Sequence, residues 1–200
     1  MSENRGSAAV SGVPGLVRVD GWLAERGCAG LLARIDAGPW SAQLRRRVQH
    51  YGHRYDYGRR GLAAGPAADP APPLPDWALG LAGRLLDEGH LDAPAEQVIV
   101  NEYLPGQGIG AHVDCVPCFG PVVAALSLGS AAVMDFTDPA GGARVPVPLA
   151  PGGLTVLTGP ARYDWRHAIP ARRSDPGPDG RVPRGRRVSV TFRTLLHRPD

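Results

Sequence analysis

A histidine and an aspartate separated by one residue, His112 and Asp114, close the stretch NEYLPGQGIGAHVD at residues 101 to 114. In a β-strand, residues two apart share a face, so these side chains can grip one ion together while Val113 points away. Two ligands do not complete a catalytic metal centre, and His167 in YDWRHAIP offers a third. Two histidines and one carboxylate on a single face of an octahedron leave three positions open, the arrangement used by non-haem Fe(II) oxygenases. A zinc hydrolase uses a similar set without needing a cosubstrate.

The choice therefore turns on a cosubstrate site. In RRVSVTFR near the C-terminus, Arg187, Ser189, Thr191 and Arg193 alternate with Val188, Val190 and Phe192, which predicts a strand with one polar and one apolar face. The two arginines are roughly 20 Å apart along such a strand, and their long side chains, reaching toward each other, can close on a short dicarboxylate. Guanidinium forks suit carboxylates because paired hydrogen bonds fix both position and charge. Asn101 and Tyr103, on one face of the preceding strand, can add two polar contacts.

Taken together, NEYLPGQGIGAHVD, SLGSAAVMDF, TGPARYDWRHAI and RRVSVTFR resemble, in order, the motifs of the AlkB family of Fe(II)- and 2-oxoglutarate-dependent dioxygenases. The resemblance covers about residues 14 to 196 and is nearest to the tRNA wobble-uridine hydroxylase branch, whose flanking RNA-recognition and methyltransferase domains are not part of this sequence. It implies a mainly β fold with flanking helices, a double-stranded β-helix or jelly roll. It implies His112, Asp114 and His167 as iron ligands, and Arg187 with Tyr103 at the distal carboxylate of 2-oxoglutarate. Arg193 then meets the carboxylate beside the keto group, Asn101 matches a polar contact, and Ser189 stands where the repair enzyme has asparagine. The implied cofactor and cosubstrates are Fe(II), 2-oxoglutarate and O2. The implied reaction hydroxylates or oxidatively demethylates modified or alkylated nucleobases in RNA, tRNA included, or in DNA, releasing succinate and CO2. The same centre would serve an oxygenase of protein side chains equally well, and a nucleic-acid-binding module that has lost catalysis is the reading from another class.

The elements that must position these residues are legible in outline. Residues 1 to 12 read as a flexible tail and residues 13 to 200 as one dioxygenase domain, since a chain of 200 residues with 43% hydrophobic content supports one core. VDGWLAERGCAGLLARIDAG predicts a helix capped by Asp20, and DWALGLAGRLLDEGHL a second capped by Asp76. From residue 97 onward QVIVNEY, VVAALSLG, AAVMDFT, VPVPL, LTVLTG and RVSVTFRTLL are short strands punctuated by Gly and Pro, as in a sandwich or jelly roll.

Between the helices, HYGHRYDYGRR interleaves Tyr51, Tyr55 and Tyr57 with arginines including Arg59 and Arg60. Aromatic faces stack on bases and arginines meet phosphates, so this segment reads as a lid for single-stranded nucleic acid. LAAGPAADPAPPLPD reads as a Pro/Ala linker or lid, and residues 171 to 187 as a polar loop that is either solvated or touches phosphate. Cys115 and Cys118 lack a second C-x-x-C pair and read as incidental thiols rather than zinc ligands.

The net charge of +3 permits a polyanionic partner without demanding one. All 22 basic residues are arginine, a bias that a GC-rich genome produces without functional selection. Three cysteines, no charged-then-apolar leader and no membrane-length apolar run lead to the expectation of a reduced, cytoplasmic, monomeric protein that does not enter a membrane.

Overall fold

The computed structural model describes residues 7 to 42, 44 to 56, 58, 61 to 62 and 71 to 196. The first half of the chain runs β1 (Ser7–Ala9), β2 (Leu16–Val19), α1 (Glu25–Asp36), β3 (Val48–Tyr51), β4 (Tyr55–Asp56), β5 (Gly61–Leu62), α2 (Asp76–Asp87), β6 (Gln97–Tyr103) and β7 (Ile109–His112). The second half runs β8 (Phe119–Gly129), β9 (Ala132–Thr137), β10 (Arg144–Leu149), β11 (Leu154–Leu157), α3 (Gly159–Tyr163), β12 (Arg166–Ile169), β13 (Ser174–Gly177), β14 (Gly180–Pro183) and β15 (Arg187–Leu195). Among the described residues no helix is long and apolar enough to cross a membrane.

Seven strands form a sheet in the order β1, β2, β11, β8, β15, β6, β3, and four form another in the order β10, β9, β12, β7. Residues of both sheets line one cavity, which is the interior of a jelly roll. β15 lies at the centre of the larger sheet, antiparallel to both β6 and β8. Its alternation is used as the sequence implies. Val188, Val190 and Phe192 are fully buried with Leu31 and Ile35 of α1 and Trp77 and Leu85 of α2, while Arg187, Ser189, Thr191 and Arg193 face the cavity. Burying each apolar side chain stabilises the fold by about 1.5 to 3 kcal/mol, which fixes which face of β15 looks inward.

The turn at Pro105 and Gly106 follows from two glycines. Gly106 has φ +91°, where a side chain is strained, and a Cβ on Gly108 would lie 2.1 Å from the Ile169 carbonyl. The chain thus turns out of β6 and enters β7 against β12.

Several local expectations need correction. The first helix starts at Glu25, with Ala24 at its N-cap and no side-chain cap, because Gly21 at φ +63° turns the chain and Asp20 pairs instead with Arg18. Asp76 occupies the first turn of α2, behind Pro75 as N-cap residue, and favours the helix through its charge there. Part of the presumed N-terminal tail is ordered: Ser7–Ala9 pairs with β2. Residues 1 to 6 and most of the Pro/Ala segment, residues 63 to 70, lie outside the described residues.

Residues 171 to 187 are no open loop either, since they contain the hairpin β13–β14. Buried Asp175 accepts hydrogen bonds from Arg172 Nε at 2.6 Å, from Arg184 Nε at 2.5 Å and Nη2 at 2.7 Å, and from the Val133 amide of β9 at 3.2 Å. One carboxylate so staples the hairpin to the smaller sheet. Burial alone would raise the Asp175 pKa, but the bonds from Arg184 and Arg172 hold it below the usual carboxylate range. A depressed folded-state pKa means that this stabilisation is present above about pH 3.9 and is lost as pH falls through the folded value. Asp175→Asn should cost about 2 to 4 kcal/mol at neutral pH, since it leaves buried guanidinium donors facing a neutral amide. Urea unfolding at pH 7 checks the loss, and repeating it in acid checks the sign: the gap between variant and wild type should close below about pH 4. Equal midpoints at pH 7 would rule the staple out.

Candidate metal centre and active site

His112 ends β7 and His167 lies in β12, and the two are direct partners across the antiparallel pair. Their ring centroids are 4.4 Å apart. Asp114 follows two residues after His112, with Oδ1 3.8 Å from His112 Nε2. One ligand atom from each of the three residues lies within 4.8 Å of the other two, so the cluster can hold a metal ion. His112 Nδ1 is 2.8 Å from the Gly110 carbonyl, which can only accept, so Nδ1 is the donor of that bond and Nε2 is the ring nitrogen on the side of Asp114. Burial pushes His167 down to about 4, leaving it neutral and able to ligate near pH 7.

Burial would raise the Asp114 pKa, yet the charges of Arg193, His167, His112 and Arg162 outweigh it and hold the carboxyl well below its usual range. Arg193 makes the largest of these opposing contributions through contact: Nη2 to Oδ1 at 3.1 Å and Nε to Oδ2 at 3.3 Å, with Nη1 turned to Gln97 Oε1 at 3.1 Å. Its guanidinium also lies over the Phe119 ring at 4.8 Å.

At the other end of β15 the chemistry differs. Arg187 is buried, donates from Nη2 to Ser127 Oγ at 3.0 Å and lies 5.4 Å from the centre of the Tyr103 ring. No hydrogen bond reaches its Nε or Nη1 among the described residues. Burial pulls its pKa down to about 10, still cationic at neutral pH. A buried cation with two idle donor atoms fits an anionic ligand entering the same cavity, which Tyr103, Asn101 and Ser189 also line. The residues present thus suit both a metal and a carboxylate-bearing cosubstrate. Asn101 is partly engaged, its Oδ1 accepting from Arg46 Nε at 3.0 Å.

A second cavity of about 610 Å³ opens on His112 and Asp114 and is bordered by Tyr55, Phe119, Arg46 and Arg166. Tyr55 is tilted on Phe119 with centroids 6.1 Å apart. Nearby His50 is pushed down to about 4, first by burial and further by the charges of Arg54, Arg193 and Arg46.

The aromatic and arginine lid expected from HYGHRYDYGRR divides accordingly. Tyr51 is corrected to a core residue: it is buried, edge-on to Trp77 at 5.8 Å, and donates its hydroxyl to Gln49 at 3.0 Å. Tyr55 does border the cavity, whereas Tyr57, Arg59 and Arg60 lie outside the described residues. Cys115 and Cys118 are not incidental thiols but a disulfide, with Cα atoms 5.3 Å apart, well suited to a bond across a tight turn. Their sulfurs are unavailable to zinc, and the inference of a reducing compartment from cysteine usage loses that support.

Sequence reasoning missed Gln97, Ser127, Arg46, Arg162 and Arg166. Ser127 had a signal in the polar phase of β8 and Gln97 in the phase of β6 that it shares with Asn101 and Tyr103; Arg162 and Arg166 lie inside TGPARYDWRHAI with nothing to mark their partners, and Arg46 sits where no period or motif marks it.

Against known proteins, the profile of the 2OG-Fe(II) oxygenase superfamily matches residues 38 to 193. The tRNA (carboxymethyluridine(34)-5-O)-methyltransferase ALKBH8 of Macaca fascicularis is 37% identical over 77% of this chain and 25% of its own length. The alkylated DNA repair protein ALKBH8 homolog of Arabidopsis thaliana is 29% identical over 94% of this chain and 60% of its own. The chain therefore spans about a quarter of the macaque relative. The solved structure of OsALKBH1 superposes with a TM-score of 0.72 at 17% identity, covering 94% of this chain and 99% of that one, a likeness of fold. With the profile running from the end of α1 into β15 and AlkB homologues aligned across most of its length, the chain belongs to the 2OG-Fe(II) oxygenase superfamily, whose members are dioxygenases that use Fe(II), 2-oxoglutarate and O2.

Proposed function

We propose that the chain is a dioxygenase that hydroxylates or oxidatively demethylates a modified or alkylated base in RNA, tRNA included, or in single-stranded DNA. His112, Asp114 and His167 would hold Fe(II), and Arg187 with Tyr103 would take the distal carboxylate of 2-oxoglutarate. The carboxylate beside the keto group would lie near Arg193, with Asn101 and Ser189 along the cavity wall. Bound there, Fe(II) with 2-oxoglutarate and O2 supplies an oxidant that hydroxylates a substrate C–H bond as 2-oxoglutarate becomes succinate and CO2. The chain itself orients the cosubstrate, keeps His167 neutral and Asp114 ionised, and excludes water from a buried cavity.

The observation that carries the nucleic-acid reading is the cavity of about 610 Å³ facing the metal-capable residues, which combines an aromatic wall, Tyr55 and Phe119, with the guanidinium groups of Arg46 and Arg166. That volume suits a flipped or unstacked base, the rings offer stacking, and the arginines suit the flanking phosphates. The names of the macaque and Arabidopsis relatives, one a tRNA enzyme and the other a DNA repair protein, agree with a nucleic-acid substrate. An N-methyl group, once hydroxylated, collapses to formaldehyde and the free base, whereas a hydroxylated carbon substituent persists.

Three measurements test the reading. His112→Ala and Asp114→Ala should each abolish succinate formation from 2-oxoglutarate while circular dichroism stays that of wild type; turnover at the wild-type rate would refute the ligand set. Arg187→Ala should weaken 2-oxoglutarate by about 2 to 5 kcal/mol, the cost of removing one partner of a buried charge pair, and an unchanged affinity would move the clamp elsewhere. Tyr55→Ala should weaken a short single-stranded RNA or DNA by about 1 to 3 kcal/mol while substrate-independent turnover survives. If wild type binds neither strand even at low salt, the protein side-chain reading takes its place.

A further inference from the structure

We infer that Arg162 is a positioning residue for the metal centre, holding the 114 to 120 segment so that Asp114 meets the two histidines. The assignment rests on the ligand set proposed above. Arg162 lies in α3 and is 1% exposed, among the largest fully buried side chains. A buried cation is ordinarily matched by a carboxylate, because desolvation is costly. Here the guanidinium bonds to backbone carbonyls instead: Nη1 to Asp114 at 3.0 Å, Nη2 to Cys115 at 3.3 Å and Phe119 at 3.0 Å, and Nε to Gly120 at 3.1 Å.

The acceptors bracket one short stretch of chain. They include the carbonyl of Asp114 itself and that of Phe119, whose ring supports Arg193, the partner of the Asp114 carboxylate. The stretch is in part a turn tied to itself, with the amides of Cys118 and Phe119 each donating to the Cys115 carbonyl at 3.2 Å and a disulfide joining Cys115 to Cys118, while its β8 end is tied to the end of β15, the Leu196 amide donating to the Cys118 carbonyl at 3.0 Å and Leu195 pairing with Phe119. Those ties hold the β8 end, and Arg162 adds the bonds that hold the Asp114 and Cys115 end to α3.

The anchor is also well chosen. α3 is held by Thr158, whose amide bonds to the Gly15 carbonyl at 2.9 Å, and by the Ala161 amide on the Pro14 carbonyl at 2.9 Å. It leads directly into β12 and His167. Arg162 therefore ties the segment bearing the carboxylate to the segment bearing the second histidine. Planar and five-donor, the guanidinium can hold four carbonyls at fixed angles, which a lysine ammonium cannot do.

The test is Mn(II) affinity of the full chain, read from the electron paramagnetic resonance signal of free Mn(II), for wild type, Arg162→Lys, Arg162→Gln, Leu85→Ala and His112→Ala. Leu85 is buried among the helices, away from the metal residues, and its truncation is a control for general destabilisation. Arg162→Lys is expected to fold and to bind Mn(II) about 10- to 100-fold more weakly, the usual effect of losing a residue that orients a ligand. Leu85→Ala should stay within about twofold of wild type, since Leu85 lies in the apolar core cluster and is none of the three ligands nor a bonding partner of the 114 to 120 segment. Wild-type affinity in Arg162→Lys, or a loss no larger than that of Leu85→Ala, would overturn the role. So would failure of both Arg162 variants to fold, which would assign the residue to the fold as a whole. His112→Ala separates the two readings: if it binds Mn(II) as wild type does, the ligand set is wrong whatever Arg162 does.

Discussion

The pair formed by Arg193 and Asp114 joins the two sheets at the point where the chemistry is gathered. Arg193 comes from the centre of the larger sheet, and Asp114 from the segment that leaves the smaller one. A carboxylate buried beside two imidazoles would take up a proton if burial alone decided its state. The guanidinium makes the largest opposing contribution, and the same contact links a residue of the larger sheet to the segment that leaves the smaller one. Both consequences follow from one contact, so register errors in β15 would disturb the ligand set as well as the core.

β15 carries that burden through a single period. Its apolar residues bind the sheet to α1 and α2, and its polar residues line the cavity, so the packing of the helices determines where both arginines emerge. A slip by one residue would exchange the two faces and bury the guanidinium groups among leucines. The difference between Arg187 and Arg193 then arises from neighbours and not from the strand. Arg193 finds Asp114 and Gln97, whereas Arg187 bonds to Ser127 and, among the described residues, keeps two nitrogen atoms without partners.

What could be seen in the sequence divides along physical lines. The strands from residue 97 onward, the facing of β15 and the three metal-capable residues were legible, because each depends on local period or on side chains with few alternative uses. The cap at Asp20 was misread because a turn at Gly21 and an ion pair with Arg18 claimed that carboxylate. Tyr51 was misread because interleaved aromatics and arginines look alike whether a ring faces solvent or, as here, Trp77. The hairpin at β13 and β14 was invisible because it depends on one aspartate finding two arginines and a strand amide. Arg162 was invisible for the same kind of reason: its partners are carbonyls, and every residue has one.

The interior and the mouth of the site are therefore constrained differently. Inside, Asp114 and Arg193 answer to each other, so few substitutions of either preserve the geometry. At the mouth, Tyr55 stands on a two-residue strand, and Arg166 projects from the exposed side of β12. On the proposed reading, changing Tyr55 or Arg166 would alter what is admitted and leave the three metal-capable residues and Arg187 in place. Under the proposed function, one interior would serve either removal of a methyl group from a base or lasting hydroxylation of a base substituent, since the fate of the product depends on the atom that bears the hydroxyl and not on the centre that delivered it.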